Sequence, residues 1–200
     1  MRRVPLALVV VVLTVALNSC VRTPTPILFP EVAVGDPSFA PTMEAYTAAP
    51  VRWANRVDLL LNGEQIFPAQ VEAIRSAQKT FTYAQYVYET GRPAEALLNA
   101  MSERCRAGVH GHVLVDGIGS AAMPAESRET LKASGCEVAV FHPVDLPTVF
   151  DVNYRNHRRI LVVDGRIGFT GGSGAAPSGW AMGAARAIGA RRTCGSRAMP

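Results

Sequence analysis

The chain has 200 residues, of which 48% are hydrophobic and 18% are charged, and its formal net charge is +4. Several arginines near the C-terminus supply much of this charge, so it does not indicate a nucleic-acid-binding domain. Four cysteines without the close, paired spacing of metal ligands exclude a zinc-cluster module. The composition therefore fits one small globular domain with flanking segments of different character.

The N-terminus has the pattern of a targeting segment. Arg2 and Arg3 form a short basic region, and residues 4–17 are apolar apart from Thr14. An apolar helix of this length spans roughly 21 Å, which is short for a membrane core of about 30 Å. We therefore interpret residues 1–20 as a signal peptide and not as a permanent membrane span.

This segment ends in Leu17-Asn18-Ser19-Cys20, which resembles a bacterial lipobox. The resemblance implies that Cys20 is lipidated and that the mature protein is exported. It would be held at a membrane by acyl chains, facing the periplasm or the cell exterior. The alternative is ordinary cleavage with Cys20 in an incidental position.

Two further segments differ from a globular domain. Residues 21–56 are rich in Pro and Thr and read as a tether or an extended arm. Residues 175–200 are rich in Ala, Gly and Arg without a strand pattern, so we expect a disordered tail. A truncated or frame-shifted reading frame after Gly174 would explain that composition, and a basic arm attracted to anionic lipid or nucleic acid is the alternative.

Between them, residues 57–174 alternate strand and helix patterns. Strands are predicted at residues 57–61, 81–88, 112–116 and 137–141, and helices at 65–77, 93–107 and 124–134. This order predicts a layered α/β domain with a mostly parallel sheet flanked by helices. Ligands gather at the carboxyl ends of such strands, where Glu89, Asp116 and Gly117 follow the predicted strands.

A β-hairpin is predicted after these elements. Residues 160–163 form an apolar run, Asp164-Gly165 suits a tight turn, and residues 167–169 form a second run. On an extended chain, His157 and Arg159 are two positions apart and point to the same face. An imidazole beside a permanent cation, with a carboxylate and glycines nearby, suits a phosphate centre.

The stretch resembles the HKD motif of the phospholipase D superfamily, H-x-K-x4-D followed by a Gly-rich segment. His157 fits the His, Arg159 stands where Lys is usual, and Asp164 fits the Asp. The flanking residues are most similar to the cardiolipin synthase branch. The resemblance covers about residues 57–174, which would be the first half of a two-motif enzyme.

The resemblance implies roles for these residues. His157 would be the nucleophile or acid/base that forms a phosphohistidine, Arg159 the phosphate clamp, and Asp164 the family's carboxylate. The residues implied in substrate binding are Asn153, Arg155, Gly171 and Gly172. The substrate would be a membrane phospholipid similar to phosphatidylglycerol, and neither a metal nor another cofactor is implied.

A single motif works in this superfamily when a homodimer brings two copies together, so a homodimer is an expected partner and nucleic acid is not. Two alternatives stay open: a metal-independent dimeric nuclease, and a truncated lipoprotein without catalytic activity. Export would permit a disulfide between Cys105 and Cys136, although two small core residues are the favoured reading.

Overall fold

The computed structural model describes residues 30–143, 153–177 and 186–192. Residues 1–29, including the predicted signal peptide and Cys20, lie outside the described residues. The chain divides into two compact units, Met1–Arg52 and Trp53–Pro200. Within the described ranges, no helix is both long enough and apolar enough to cross a membrane.

The described part of the first unit contains a helix that the sequence did not predict. Helix α1 comprises Phe39–Thr47, and none of its residues is buried. Pro41 lies in its first turn, where a missing backbone N–H does not break the helix. Ahead of it, a carboxylate oxygen of Asp36 accepts hydrogen bonds from the backbone N–H and the hydroxyl of Ser38, both 2.7 Å long.

The second unit is built on a sheet of seven strands among the described residues, in the order β1-β7-β6-β5-β2-β3-β4. The strands are β1 Asn55–Leu61, β2 Thr80–Gln85, β3 His110–Asp116, β4 Glu137–Phe141, β5 Ile160–Val163, β6 Ile167–Gly171 and β7 Arg186–Arg192. The helices are α2 Asn62–Arg75, α3 Arg92–Arg106 and α4 Ala125–Ala133. The predicted α/β class is confirmed.

The predicted parallel pairing is found in one half of the sheet. Strands β2, β3 and β4 are parallel neighbours, and α3 and α4 connect them in sequence. The pairings of β5 with β2 and β6, and of β7 with β6 and β1, are antiparallel. The sheet is therefore mixed. The short turn between β5 and β6 leaves no room for the crossover that a parallel pairing of these two strands would need.

Strand β7 corrects the expectation of a tail without strands. It pairs with β1 from Asn55↔Arg192 to Leu61↔Arg186, and with β6 on its other side. Its sequence, R-A-I-G-A-R-R, has no clear alternation of apolar and polar residues. The two neighbouring strands stabilise it through backbone hydrogen bonds, which do not depend on side-chain pattern.

The core lies between the sheet and a layer of helices in which α3 packs against both α2 and α4. Consecutive parallel strands with right-handed crossovers place α3 and α4 on the same face of the sheet. The largest fully buried side chains come from both layers: Ile66, Phe67, Ile74, Phe81, Tyr83, Tyr88, Leu97, Met101, Val115, Leu131, Leu161 and Val163.

Cys105 and Cys136 form a disulfide, which corrects the expectation of two reduced core residues. Their Cα atoms are 5.4 Å apart, a normal separation for a bridged pair. The absence of a side chain at Gly111 makes space here, since a Cβ atom at that position would lie 2.5 Å from the Cys105 sulfur. The bridge joins the end of α3 to the start of β4.

Candidate functional site

The hairpin between β5 and β6 is confirmed, with its turn at the predicted dipeptide. Asp164 and Gly165 have φ values of 50° and 61°. Positive φ at both central residues is typical of the turns that connect two hairpin strands, and Asp and Gly tolerate it. The N–H of Arg166 donates to the carbonyl of Val163 over 2.9 Å and closes the turn.

The carboxylate of Asp164 binds backbone and not an imidazole. Its two oxygens accept hydrogen bonds from the backbone N–H groups of Gln78, Lys79 and Thr80, each 2.8 Å long. Burial opposes ionisation, but these three bonds and the charge of Lys79 outweigh it and hold the pKa of Asp164 below its usual value. Asp164 therefore fastens the hairpin turn to the start of β2.

His157 lies at the other end of β5. It contacts Tyr86, which is six residues along the chain from Thr80, so roughly 20 Å of extended chain separate the two ends. The expectation that one hairpin gathers an imidazole, a guanidinium and this carboxylate is therefore wrong for the carboxylate. The strand between His157 and Asp164 makes the separation unavoidable.

His157 and Arg159 share one aromatic neighbour, as their predicted common face requires. The exposed imidazole stacks on the ring of Tyr86, with 3.7 Å between centroids and 27° between planes. The guanidinium carbon of Arg159 lies 5.9 Å from the centroid of the same ring. Gly119 also packs against Tyr86, because a Cβ atom there would lie 2.7 Å from two of its ring carbons.

The segment before His157 is fixed by a second carboxylate, Asp116, at the carboxyl end of β3. One oxygen accepts from the N–H groups of Ile118 and Gly119, and the other from that of Asn156, each over 2.9 Å. Burial opposes ionisation of Asp116, but these bonds and the charge of Arg155 outweigh it and lower its pKa. Asp116 thus positions the backbone from which His157 projects.

The other predicted substrate-binding residues are in different environments. Arg155 donates from Nη1 to the carbonyl of His142 over 2.9 Å and lies 3.6 Å from Asp116, with its side chain 8% exposed. Its contacts are therefore those of an anchor within the protein. Asn153, Gly171 and Gly172 are exposed, the two glycines at the end of β6 and just after it.

A small polar cavity of about 10 Å³ lies beside Arg159. Gln70, Gln85 and Ser173 contribute to its lining. The amide of Gln85 donates to the hydroxyl of Tyr83 over 3.2 Å and to the carbonyl of Ser173 over 3.3 Å. Burial raises the pKa of Tyr83 although this hydrogen bond opposes the shift, so the phenol stays protonated at neutral pH.

Tyr86 and the polar cavity were not predicted as functional. Gln70 gives the clearest signal in hindsight, because it occupies the buried face of α2 together with Phe67 and Ile74. A polar side chain at helical spacing among apolar ones needs a partner or a purpose. Among the residues that the structure describes, no three His, Cys, Asp or Glu side chains cluster as metal ligands would.

The family model and the curated relatives that match this chain agree on one family. The family model described as "Cardiolipin synthase, PLD-like domain" matches residues 71–184. The chain is 36% identical to cardiolipin synthase of Geobacillus thermodenitrificans over 124 residues, which cover 62% of this chain and 25% of that protein. It is 33% identical to cardiolipin synthase A of Pseudomonas syringae pv. syringae over 160 residues, covering 70% and 33%. The chain therefore spans about a quarter to a third of the curated relatives that it matches.

Two solved structures have a similar fold. The phospholipase D family member Nuc from Salmonella typhimurium superposes with a TM-score of 0.53 at 15% identity, covering 70% of this chain and 84% of Nuc. NucT from Helicobacter pylori superposes with a TM-score of 0.51 at 13% identity, covering 68% and 86%. At these identities the likeness concerns the fold alone.

Proposed function

Because the chain belongs to the cardiolipin synthase, PLD-like domain family, we propose that it transfers phosphatidyl groups between alcohols at a membrane. The observation that carries the proposal is an exposed imidazole, His157, stacked on Tyr86 with the guanidinium of Arg159 beside the same ring. The substrate we propose is a phospholipid such as phosphatidylglycerol, in line with the names of the curated relatives.

The proposed reaction has two displacements at phosphorus. A ring nitrogen of His157 attacks the phosphorus atom, the bond to the first alcohol breaks, and that alcohol takes a proton from a second imidazole. The incoming alcohol then loses its proton to this second imidazole, attacks phosphorus and releases His157. Arg159 offsets the charge on the phosphoryl oxygens in both transition states.

His157 supplies one of the two imidazoles that this scheme requires. We propose that a second copy of the chain supplies the other, as the predicted homodimer implies. Specific activity should then rise with protein concentration across the range in which sedimentation velocity shows dimers forming. A monomeric protein whose specific activity is independent of concentration would contradict the shared site.

The decisive experiment incubates the purified protein with phosphatidylglycerol vesicles and follows released glycerol and the lipid products by mass spectrometry. The wild-type protein should release glycerol, and His157→Ala should abolish the release. His112→Ala is the matched control, because His112 is also surface-exposed but pairs with Glu137 on the sheet, away from Tyr86. Equal glycerol release by wild type and His157→Ala would defeat the enzymatic proposal.

The proposed membrane location depends on the lipobox-like sequence at Cys20. An acyl anchor would hold the site beside phospholipid headgroups and raise the local substrate concentration. Metabolic labelling with a clickable fatty acid should mark the wild-type protein in a bacterial host, and Cys20→Ser should remove the label. Labelling that survives this substitution would count against lipidation at Cys20.

The nuclease alternative is tested with the same preparations. The sequence feature that supports a nuclease is the basic C-terminal segment, and part of this segment forms strand β7 of the sheet. DNA cleavage that persists in a chelator and requires His157 would favour a nuclease. Failure of the purified protein to unfold cooperatively would instead favour the second alternative, a truncated lipoprotein without catalytic activity.

A further inference from the structure

Three of the residues that line the cavity at Arg159 each carry a buried polar atom without a hydrogen-bond partner in the described part of the chain. Six buried side-chain atoms lack a hydrogen-bond partner among the described residues, and three of them are Gln70 Oε1, Arg159 Nε and Ser173 Oγ. All three residues line this one cavity, and Gln70 and Ser173 are only 9% and 6% exposed. Because buried polar groups are almost always paired, such a concentration indicates a site for a ligand atom.

The chemistry of the three atoms selects the ligand. Gln70 Oε1 only accepts a hydrogen bond, Arg159 Nε–H only donates one, and the Ser173 hydroxyl does either. A hydroxyl group satisfies all three, since it donates once and accepts twice. A phosphoryl oxygen carries no hydrogen and would leave Gln70 Oε1 facing an anion. The volume, about 10 Å³, holds one oxygen atom of the size of water.

The cavity is connected to the surface and to the proposed phosphate site. Thr170 and Gly171 line it and are exposed, so an oxygen can enter from solvent. Arg159 belongs to both places, because it lines the cavity with a buried, unpartnered Nε and has its guanidinium carbon 5.9 Å from the centroid of the ring that stacks on His157. The hydrogen bond from Gln85 to the carbonyl of Ser173 holds the third group in position.

We propose that Gln70, Ser173 and the Nε–H of Arg159 form a subsite for one hydroxyl group on the alcohol part of a phosphodiester. This inference rests on the proposed function and deepens it, because it assigns residues that select alcohols carrying a further hydroxyl. It also gives the arginine at position 159 a use that lysine lacks, since the lysine side chain has no second donor along its stem.

The test measures binding without turnover, on the full chain carrying His157→Ala. Isothermal titration compares sn-glycerol 3-phosphate with n-propyl phosphate, which has the same carbon chain and no free hydroxyl. We expect the hydroxyl-bearing ligand to bind about tenfold more tightly. Adding Gln70→Met, which keeps the side-chain volume, or Ser173→Ala should reduce this preference to less than about threefold.

Ser102→Ala is the matched control, because the Ser102 hydroxyl is likewise buried and unpartnered but lies on α3 and does not line this cavity. It should keep the tenfold preference. Thermal unfolding of each variant checks that it is folded, and Ser173→Ala tests the proposal independently if Gln70→Met does not fold.

Three outcomes would overturn the subsite: equal binding of the two phosphates, no binding of either, or an equal weakening of both by Gln70→Met. The last result would mean that the cavity holds water and not a substrate hydroxyl. The phosphatidylglycerol assay separates this inference from the proposed function. Preference without turnover keeps the subsite and defeats the function, whereas turnover without preference defeats the subsite alone.

Discussion

The two ends of strand β5 differ in how completely their polar groups are paired. At the Asp164 end, the carboxylate has three backbone donors and holds the hairpin turn against the start of β2. At the His157 end, the imidazole is exposed on an aromatic ring, and Arg159 has an unpartnered Nε. Satisfied groups stabilise a fold, and unsatisfied ones are available to a ligand.

The difference explains why the motif residues are spaced as they are. Strand β5 has four residues and separates the His157 end from the Asp164 end. The spacing of the pattern H-x-R-x4-D therefore corresponds to the length of β5 and its flanking residues. Asp164 holds the turn that follows β5 to the start of β2 and makes no hydrogen bond to His157 among the described residues. Asp116, on another strand, fixes the backbone next to His157 directly.

The sharpest test of this difference substitutes one residue at each end of β5, beginning with His157. His157→Ala should reduce the proposed phosphatidyl transfer by about 1000-fold or more, because it removes the proposed nucleophile, and leave the unfolding free energy nearly unchanged. Transfer rates and urea unfolding, measured on the same preparation, check the predicted loss of activity and the predicted unchanged stability. A loss of stability comparable to the loss of activity would show that His157 has a structural role as well.

Asp164→Ala should have the opposite effect, lowering the stability of the fold and leaving the activity per folded molecule nearly unchanged. It leaves three backbone N–H groups without their acceptor, and we expect the free energy of unfolding to fall by about 3 kcal/mol. Asp164→Asn tolerates the same positive φ and keeps an acceptor oxygen, so it should cost only about 1.5 kcal/mol. Activity per folded molecule, measured well below the melting temperature, should stay close to wild type, and a large drop there would place Asp164 in the chemistry.

Arg159→Lys should have a smaller effect, confined to activity. The cation is retained, but the planar fork and the Nε donor are lost, so kcat/KM should fall about tenfold. Initial rates over a range of phosphatidylglycerol concentrations measure the change, and thermal unfolding supplies the control. A rate equal to or above that of wild type would show that an ammonium group serves this site equally well.

The smallest expected effect is a change in acid stability. The folded-state pKa values of Asp116 and Asp164 are lowered, so the stabilisation from these groups is fully present above the unfolded pKa, about 3.9, and is lost as pH falls below it. The unfolding free energy of wild type should therefore drop as pH falls from about 4 through the lowered folded-state pKa values, and Asp164→Asn should show a smaller drop. Parallel curves for the two proteins would contradict the linkage.

Local sequence pattern predicted the elements whose signals are local. The bounds of β4 and β5 match their apolar runs, and the turn between β5 and β6 sits at Asp164-Gly165 as expected. Strand β7 escaped prediction because its small residues carry no alternation, and its stability comes from neighbours distant in sequence.

The site was predicted less completely, because its decisive contacts are long-range. Nothing local to Asp164 indicates that its partners lie 84 to 86 residues earlier. The stacking of Tyr86 on His157 and the cavity that Gln70 and Ser173 both line depend likewise on how α2, β2, β5 and β6 assemble. The Cys105–Cys136 bridge was an open alternative because cysteine pairing is not encoded in spacing.

Because Gly119 packs against Tyr86, a substitution at position 119 would change the position of the His157 imidazole without contacting it. A Cβ atom at position 119 would lie 2.5 Å from the backbone oxygen of Tyr86 and 2.7 Å from two of its ring carbons, so a side chain there would displace the residue on which His157 stacks. The loop that carries Gly119 therefore influences the position of the His157 imidazole through the ring of Tyr86. Random mutagenesis of this chain should therefore recover inactive variants at position 119, far in sequence from the motif.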